Sequence, residues 1–293
     1  MLERMMFMAI ALSISAAALA DSRAGEGVDI EIRFDARVGD QHLACGRRFE
    51  GVGRTGATIT LQDFRVYVSQ LRLLRGDGSE QPLALTPDDA FQSARVALLD
   101  FENATGNCNG NSPTHTVVRG RAPAGDYVGL AFTLGVPVDL NHQDPTLAPA
   151  PLNFSALAWP WRYGYKFTTI DFDTGSPAKA TPHGGEASGF SIHLGSVDCG
   201  EGSPRTPPES PCTTPNRPQF RLPAFDPASQ VVVLDLGALL ADTDVTVNDP
   251  DSASGCMSGP DDDDCVAIMD RFGLPFRGRE SGGQQFVWAA AAD

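Results

Sequence analysis

The sequence predicts an all-β fold, a sandwich or barrel-like single domain with disulfide-stapled loops and a C-terminal extension. Three observations carry that prediction. Short apolar runs alternate with polar residues at period two, thirty glycines and twenty-two prolines punctuate them, and the six cysteines are an even number suited to bridges. Long helical patterns are absent.

The elements follow in order. Residues 1–20 read as a secretory signal, with Arg4 near the start, an apolar run over 5–14 and the small-residue stretch AALA at 17–20 ahead of Asp21. The run is too short to span a bilayer comfortably and no cysteine follows the cleavage point, so an exported, soluble protein without a membrane anchor is expected. Residues 28–34, 58–61 and 64–74 alternate apolar and polar side chains as half-buried strands do, and 75–79 is a hairpin turn. Further strands are expected over 95–101, 124–136, 188–195, 215–223 and 230–236, with one helical turn over 236–241. Beyond residue 245 the pattern weakens to acidic loop. The domain is expected to run over 28–286, and 287–293 reads as a frayed Ala-rich tail that holds Trp288.

A formal net charge of −15 excludes nucleic acid and anionic membranes as partners. In an oxidising compartment an even cysteine count reads as disulfides. Cys256 and Cys265 lie close together and Cys199 and Cys212 enclose a Pro-rich loop, so local pairing is the simplest arrangement and leaves Cys45 with Cys108. No CxxC spacing supports zinc. The run Asp261–Asp264 lacks the alternation that wraps oxygen ligands around a calcium ion, and it reads as solvated loop.

The segment AWPWRYGYKF at 158–167 concentrates two of the three tryptophans and two of the four tyrosines. Read as a strand, it places Trp159, Trp161, Tyr163 and Tyr165 on one face, with Pro160 marking an edge or a bulge. Plain core packing is the competing reading for such a face. His142 lies upstream and His193 downstream on the neighbouring strand. Both are neutral imidazoles near pH 7 at their ordinary pKa, which suits copper, nickel or zinc. His183 reads as a loop residue, and His42 and His115 as exposed polar positions. The familiar nucleophile-elbow, zinc-protease, P-loop and dinucleotide signatures are absent.

The motifs Gly135-Val-Pro, Asn141-His142, Asp144-Pro145, Pro151-Leu-Asn153, WPWRYGYKF, Phe190-Ser-Ile-His193-Leu-Gly and Pro215-Asn-Arg-Pro218 together resemble the MbnP family. Those are periplasmic four-cysteine proteins, often encoded beside a di-haem protein of the MauG/MbnH type. In this chain Cys45, Cys108, Cys199 and Cys212 correspond to the four cysteines, and Cys256 and Cys265 form an additional bridge. The resemblance implies a copper-binding protein in which a di-haem partner oxidises Trp159 or Trp161 to kynurenine, beside the His142 and His193 imidazoles. Such a protein is the partner's substrate rather than an enzyme. The alternative is a secreted adhesion or carbohydrate-binding module that stacks sugar on the aromatic strand.

Overall fold

The computed structural model describes residues 27–175, 179–180 and 186–292; the signal segment and His183 lie outside them. The chain is an all-β sandwich. One sheet is ordered Val287–Ala291, Gln230–Asp235, Gly27–Val38, Val117–Pro123 and Ala84–Leu85, with Gln41–His42 added beside Gly27–Val38. The other is ordered Phe190–Ile192, Thr168–Asp173, Ala57–Arg75, Tyr127–Leu134 and Gln219–Leu222. Its long strand Ala57–Arg75 also pairs with Arg48–Val52, Glu80–Pro82 and Val96–Asp100.

Alternation explains the first sheet. Ile32, Phe34, Ala36 and Val38 are buried while Glu31 and Arg33 are exposed, and Val118 and Ala122 are buried between exposed Arg119 and Arg121. Phe34 meets Phe132 of the facing sheet edge-on, with ring centroids 5.6 Å apart. The middle of the second sheet is buried on both faces, one against the first sheet and one beneath the loops that carry the functional residues. That is why the middle of its long strand, Phe64–Ser69, is buried without interruption.

Two expectations about the C-terminal region are corrected. Residues 287–291 are not frayed, because Val287–Ala291 pairs antiparallel with Gln230–Asp235, and the Arg37 guanidinium lies 5.8 Å from the centre of the Trp288 ring. Ladder hydrogen bonds to a buried neighbour override the weak strand preference of alanine. The region past 245 also holds a helix, Cys265–Phe272, which buries Cys265, Ile268, Met269 and Phe272 and closes on left-handed Gly273 at φ +80°. Its apolar residues recur at helical spacing directly after the acidic run. The extension is fastened to the second sheet, since the Cys256 N–H donates to Ser191 and the Cys256 carbonyl accepts from the His193 N–H, each at 2.9 Å. Bridges join Cys45 to Cys108, Cys199 to Cys212 and Cys256 to Cys265, and no cysteine is free.

Strand register places Asp63, Arg65, Asp100 and Asp171 on one face of the second sheet. Arg65 pairs with Asp63 there, with Nε donating to Oδ1 at 2.8 Å. Asp100 is fully buried; one carboxylate oxygen accepts from the Glu102 N–H at 3.3 Å and the other has no hydrogen-bond partner. Burial, then the neighbouring Glu102 charge, push its pKa up to about 7. A carboxyl with a raised folded-state pKa binds its proton more tightly folded than unfolded. Its stabilising contribution is therefore full below an unfolded pKa of about 4 and is lost as pH rises towards 7. Wild-type denaturation midpoints should fall relative to those of Asp100→Asn between about pH 4 and about pH 8. Parallel curves for the two proteins would mean that Asp100 ionises normally.

Candidate metal and redox site

After the strand Tyr127–Leu134, the chain turns through Gly135 and reaches Asn141 and His142 in a loop over the second sheet. The aromatic segment closes over that loop. It is a turn rather than the expected strand: Trp161–Tyr163 form a single 3-10 turn, Ala158 bridges Tyr165, and the Trp159 N–H donates to the Gly164 carbonyl at 3.0 Å. Proline at 160 and a glycine at 164 with φ +79° bracket the reversal. A Cβ at Gly164 would stand 2.6 Å from the Asn141 carbonyl oxygen, so this position needs glycine for space as well as for its backbone angle.

The four rings consequently part company. Tyr165 is fully buried and packs edge-on against Tyr67 at 6.0 Å; the two hydroxyls donate to the carbonyls of Leu152 and Pro151 at 2.8 and 2.9 Å. Those bonds hold the 149–157 loop onto the sheet. Tyr163 is exposed, while Trp159 and Trp161 are half-buried. Trp159 lies over Gly195, where an added Cβ would come within 2.1 Å of its ring. Trp161 turns the other way, and its Nε1–H donates to the His142 carbonyl.

Buried Asn141 organises this pairing, a role the sequence did not signal. Its Oδ1 accepts from the Tyr165 N–H at 3.1 Å and its Nδ2 lies 3.3 Å from His142 Nε2. The His142 Nδ1 lies 3.4 Å from the Trp161 carbonyl and can donate only if it carries the ring proton, which leaves Nε2 to accept from the Asn141 amide. Burial pushes the His142 pKa down, opposed by the bond to the Trp161 carbonyl, so the ring is neutral near pH 7. Nε2 also stands 3.3 Å from Cys212 Sγ. Arg162 ties the aromatic turn to the same disulfide loop, its Nε and Nη1 donating to the Gly200 and Gly202 carbonyls.

His193 has different partners. Its Nε2 lies 2.8 Å from Asp171 Oδ1, across paired strands, leaving Nδ1 as its remaining ring nitrogen. Among the described residues, no group of three or more closely spaced donors contains His193, whereas His142, Cys199 and Cys212 form one. His115 is buried, stacked on Phe91 and bonded through Nδ1 to the Leu98 carbonyl at 2.7 Å, which corrects its reading as an exposed position. Asp262 is likewise not solvated: it is buried and accepts from the Met257 and Asp264 N–H groups at 3.0 and 3.1 Å. Two clefts flank the turn. One of about 800 Å³ is lined by Trp159, Tyr163, Met257 and the carboxylates of Asp249, Asp251 and Asp261; the other, of about 300 Å³, contains His142 and Cys212.

Fold and site together define a disulfide-stapled β-sandwich that presents histidine, indole and sulfur on adjoining loops. The chain belongs to the MbnP family, whose model matches residues 28–258. Among solved structures it is similar to MbnP from Methylosinus trichosporium, at 33% identity and a TM-score of 0.81 over 92% of this chain and 100% of that one. The comparison with curated proteins finds no match.

Proposed function

We propose that this protein is an exported, periplasmic copper-binding protein in which one tryptophan of the aromatic turn is converted to kynurenine by a di-haem partner. The observation that carries the reading is the reciprocal contact of Trp161 and His142, indole N–H to one carbonyl and imidazole to the other. Conversion cleaves the indole C2–C3 bond in a four-electron oxidation: three waters supply the oxygen, the C2 carbon leaves as formate, and four protons and four electrons are released, the electrons passing through the partner's haems to a peroxide oxidant. The product carries an aryl amine and a ketone, so an apolar ring becomes a polar ligand beside an imidazole. Neutral imidazole suits copper, and a backbone carbonyl on the opposite ring nitrogen is the usual orienting partner of a metal-binding histidine. His193 supplies a second imidazole through Nδ1, with Asp171 orienting the ring. The acid-lined cleft beside Trp159 suits a partner with a basic docking face.

The alternative of sugar stacking keeps Trp159 and Tyr163, which line one cleft, but not the four-ring face, since Tyr165 is buried and Trp161 bonds to the His142 carbonyl. Intact mass and metal analysis of protein expressed with and without a di-haem partner test the proposal. Modified protein should retain copper in near-stoichiometric amount and unmodified protein far less. An unmodified chain, obtained while the partner oxidises another substrate, would rule the reading out.

A further inference from the structure

We infer that the Cys199–Cys212 bridge is the oxidised form of a redox-gated site for a soft cation, in which His142 and the two released thiolates are the ligands. The inference shares His142 with the proposed copper site but needs neither tryptophan oxidation nor His193. Three observations support it. The donor atoms of His142, Cys199 and Cys212 all lie within 4.8 Å of one another, with His142 Nε2 3.3 Å from Cys212 Sγ. A donating Nδ1–H on the Trp161 carbonyl leaves the lone pair on Nε2, the tautomer that ligation requires, where a cation would displace the Asn141 amide as its partner. Both cysteines are partly exposed, whereas Cys256 and Cys265 are fully buried and Cys45 is partly exposed but paired to a buried Cys108, so this is the bridge that offers a reductant two accessible sulfurs.

The loop is held closed by more than its disulfide. Val197 and Thr214 exchange backbone bonds, the Gly200 N–H donates to Ser210, the Thr213 N–H donates to Asp198, and Arg162 grips Gly200 and Gly202. Opening the bridge therefore leaves the sulfurs as neighbours. Among the described residues, the other two clusters of this kind lack a nitrogen donor, and their carboxylates are committed. Glu102 accepts from the Ala104, Gly110 and Asn111 N–H groups, and Asp262 accepts from Met257 and Asp264.

The chemistry balances with a dithiol or phosphine reductant. The disulfide takes up two electrons and two protons to give two thiols, while a dithiol reductant loses the same to become its disulfide, or a phosphine becomes its oxide with water supplying the oxygen and both protons. Each thiol then loses its proton as the cation binds. Two thiolates and one imidazole select soft and borderline cations such as Cu(I) over calcium or magnesium. Cd(II) is the probe here, because its thiolate charge-transfer band in the ultraviolet reports sulfur ligation and is silent for a histidine-only site.

The folded protein is treated anaerobically with a water-soluble phosphine, thiol release is mapped by labelling, and Cd(II) is titrated in. Chain with free thiols at Cys199 and Cys212 should show a saturating band that untreated protein lacks. Ser at both cysteines should abolish it, and His142→Ala should weaken binding by about tenfold or more. A band that survives the double substitution, an unchanged affinity in His142→Ala, or no band despite free thiols at both positions would each overturn the inference. The copper reading fails separately, if oxidised protein with a modified tryptophan retains no copper, and that result leaves the cadmium response untouched.

Discussion

His142→Ala should lower the copper affinity of the partner-treated protein by more than about tenfold, while His115→Ala leaves it near wild type. Changing groups that merely orient a ligand costs about ten- to a hundredfold in metal affinity, and removing the ligand itself should cost at least as much. The control is apt because His115 is also a buried imidazole, yet it is stacked on Phe91 and bonded to the Leu98 carbonyl, away from any cluster of donors. His142→Ala leaves the fold intact, since Asn141 rather than His142 makes the bond to Tyr165. Competition with a chelator of known affinity reads the difference. Equal losses in the two variants would mean that scattered surface groups hold the copper.

Trp161→Phe should abolish both the oxidative modification and the retention of copper, whereas Trp159→Phe should reduce modification by altering the docking cleft without removing its target. Phenylalanine retains most of the aromatic packing and lacks the indole that opens to the aryl amine. What Trp161→Phe loses besides is the bond to the His142 carbonyl, which costs on the order of 1 kcal/mol and does not unfold the domain. Peptide mass spectrometry after co-expression with the di-haem partner places the modification within residues 157–166. A mass shift at Trp159 alone would move the reactive indole to the acidic cleft, and one at Trp288 would remove the aromatic turn from the account.

The segment at 158–167 shows where sequence reasoning misled. Period two is the mark of a strand, yet here it accompanies a reversal, because Pro160 fixes one backbone angle and Gly164 takes an angle that other residues avoid. Side-chain directions inside a turn follow no period. Tyr165 enters the core, Trp161 meets His142, Trp159 covers Gly195 and Tyr163 stays in solvent. His193 was placed correctly beside the Thr168–Asp173 strand, but its engagement with Asp171 depends on register between paired strands, which no local pattern records.

The sequence alone determined the β class, the positions of most strands, the local character of two bridges and the family resemblance, because alternation, turn residues and short spacings are local and survive in one dimension. Tertiary structure decided the rest. It recruited Val287–Ala291 as an edge strand, since unpaired backbone groups gain partners there whatever the residue preference. It also brought His142, Trp161 and the Cys199–Cys212 bridge together from three separate stretches, through an asparagine and an arginine whose hydrogen bonds exist only once the loops have closed.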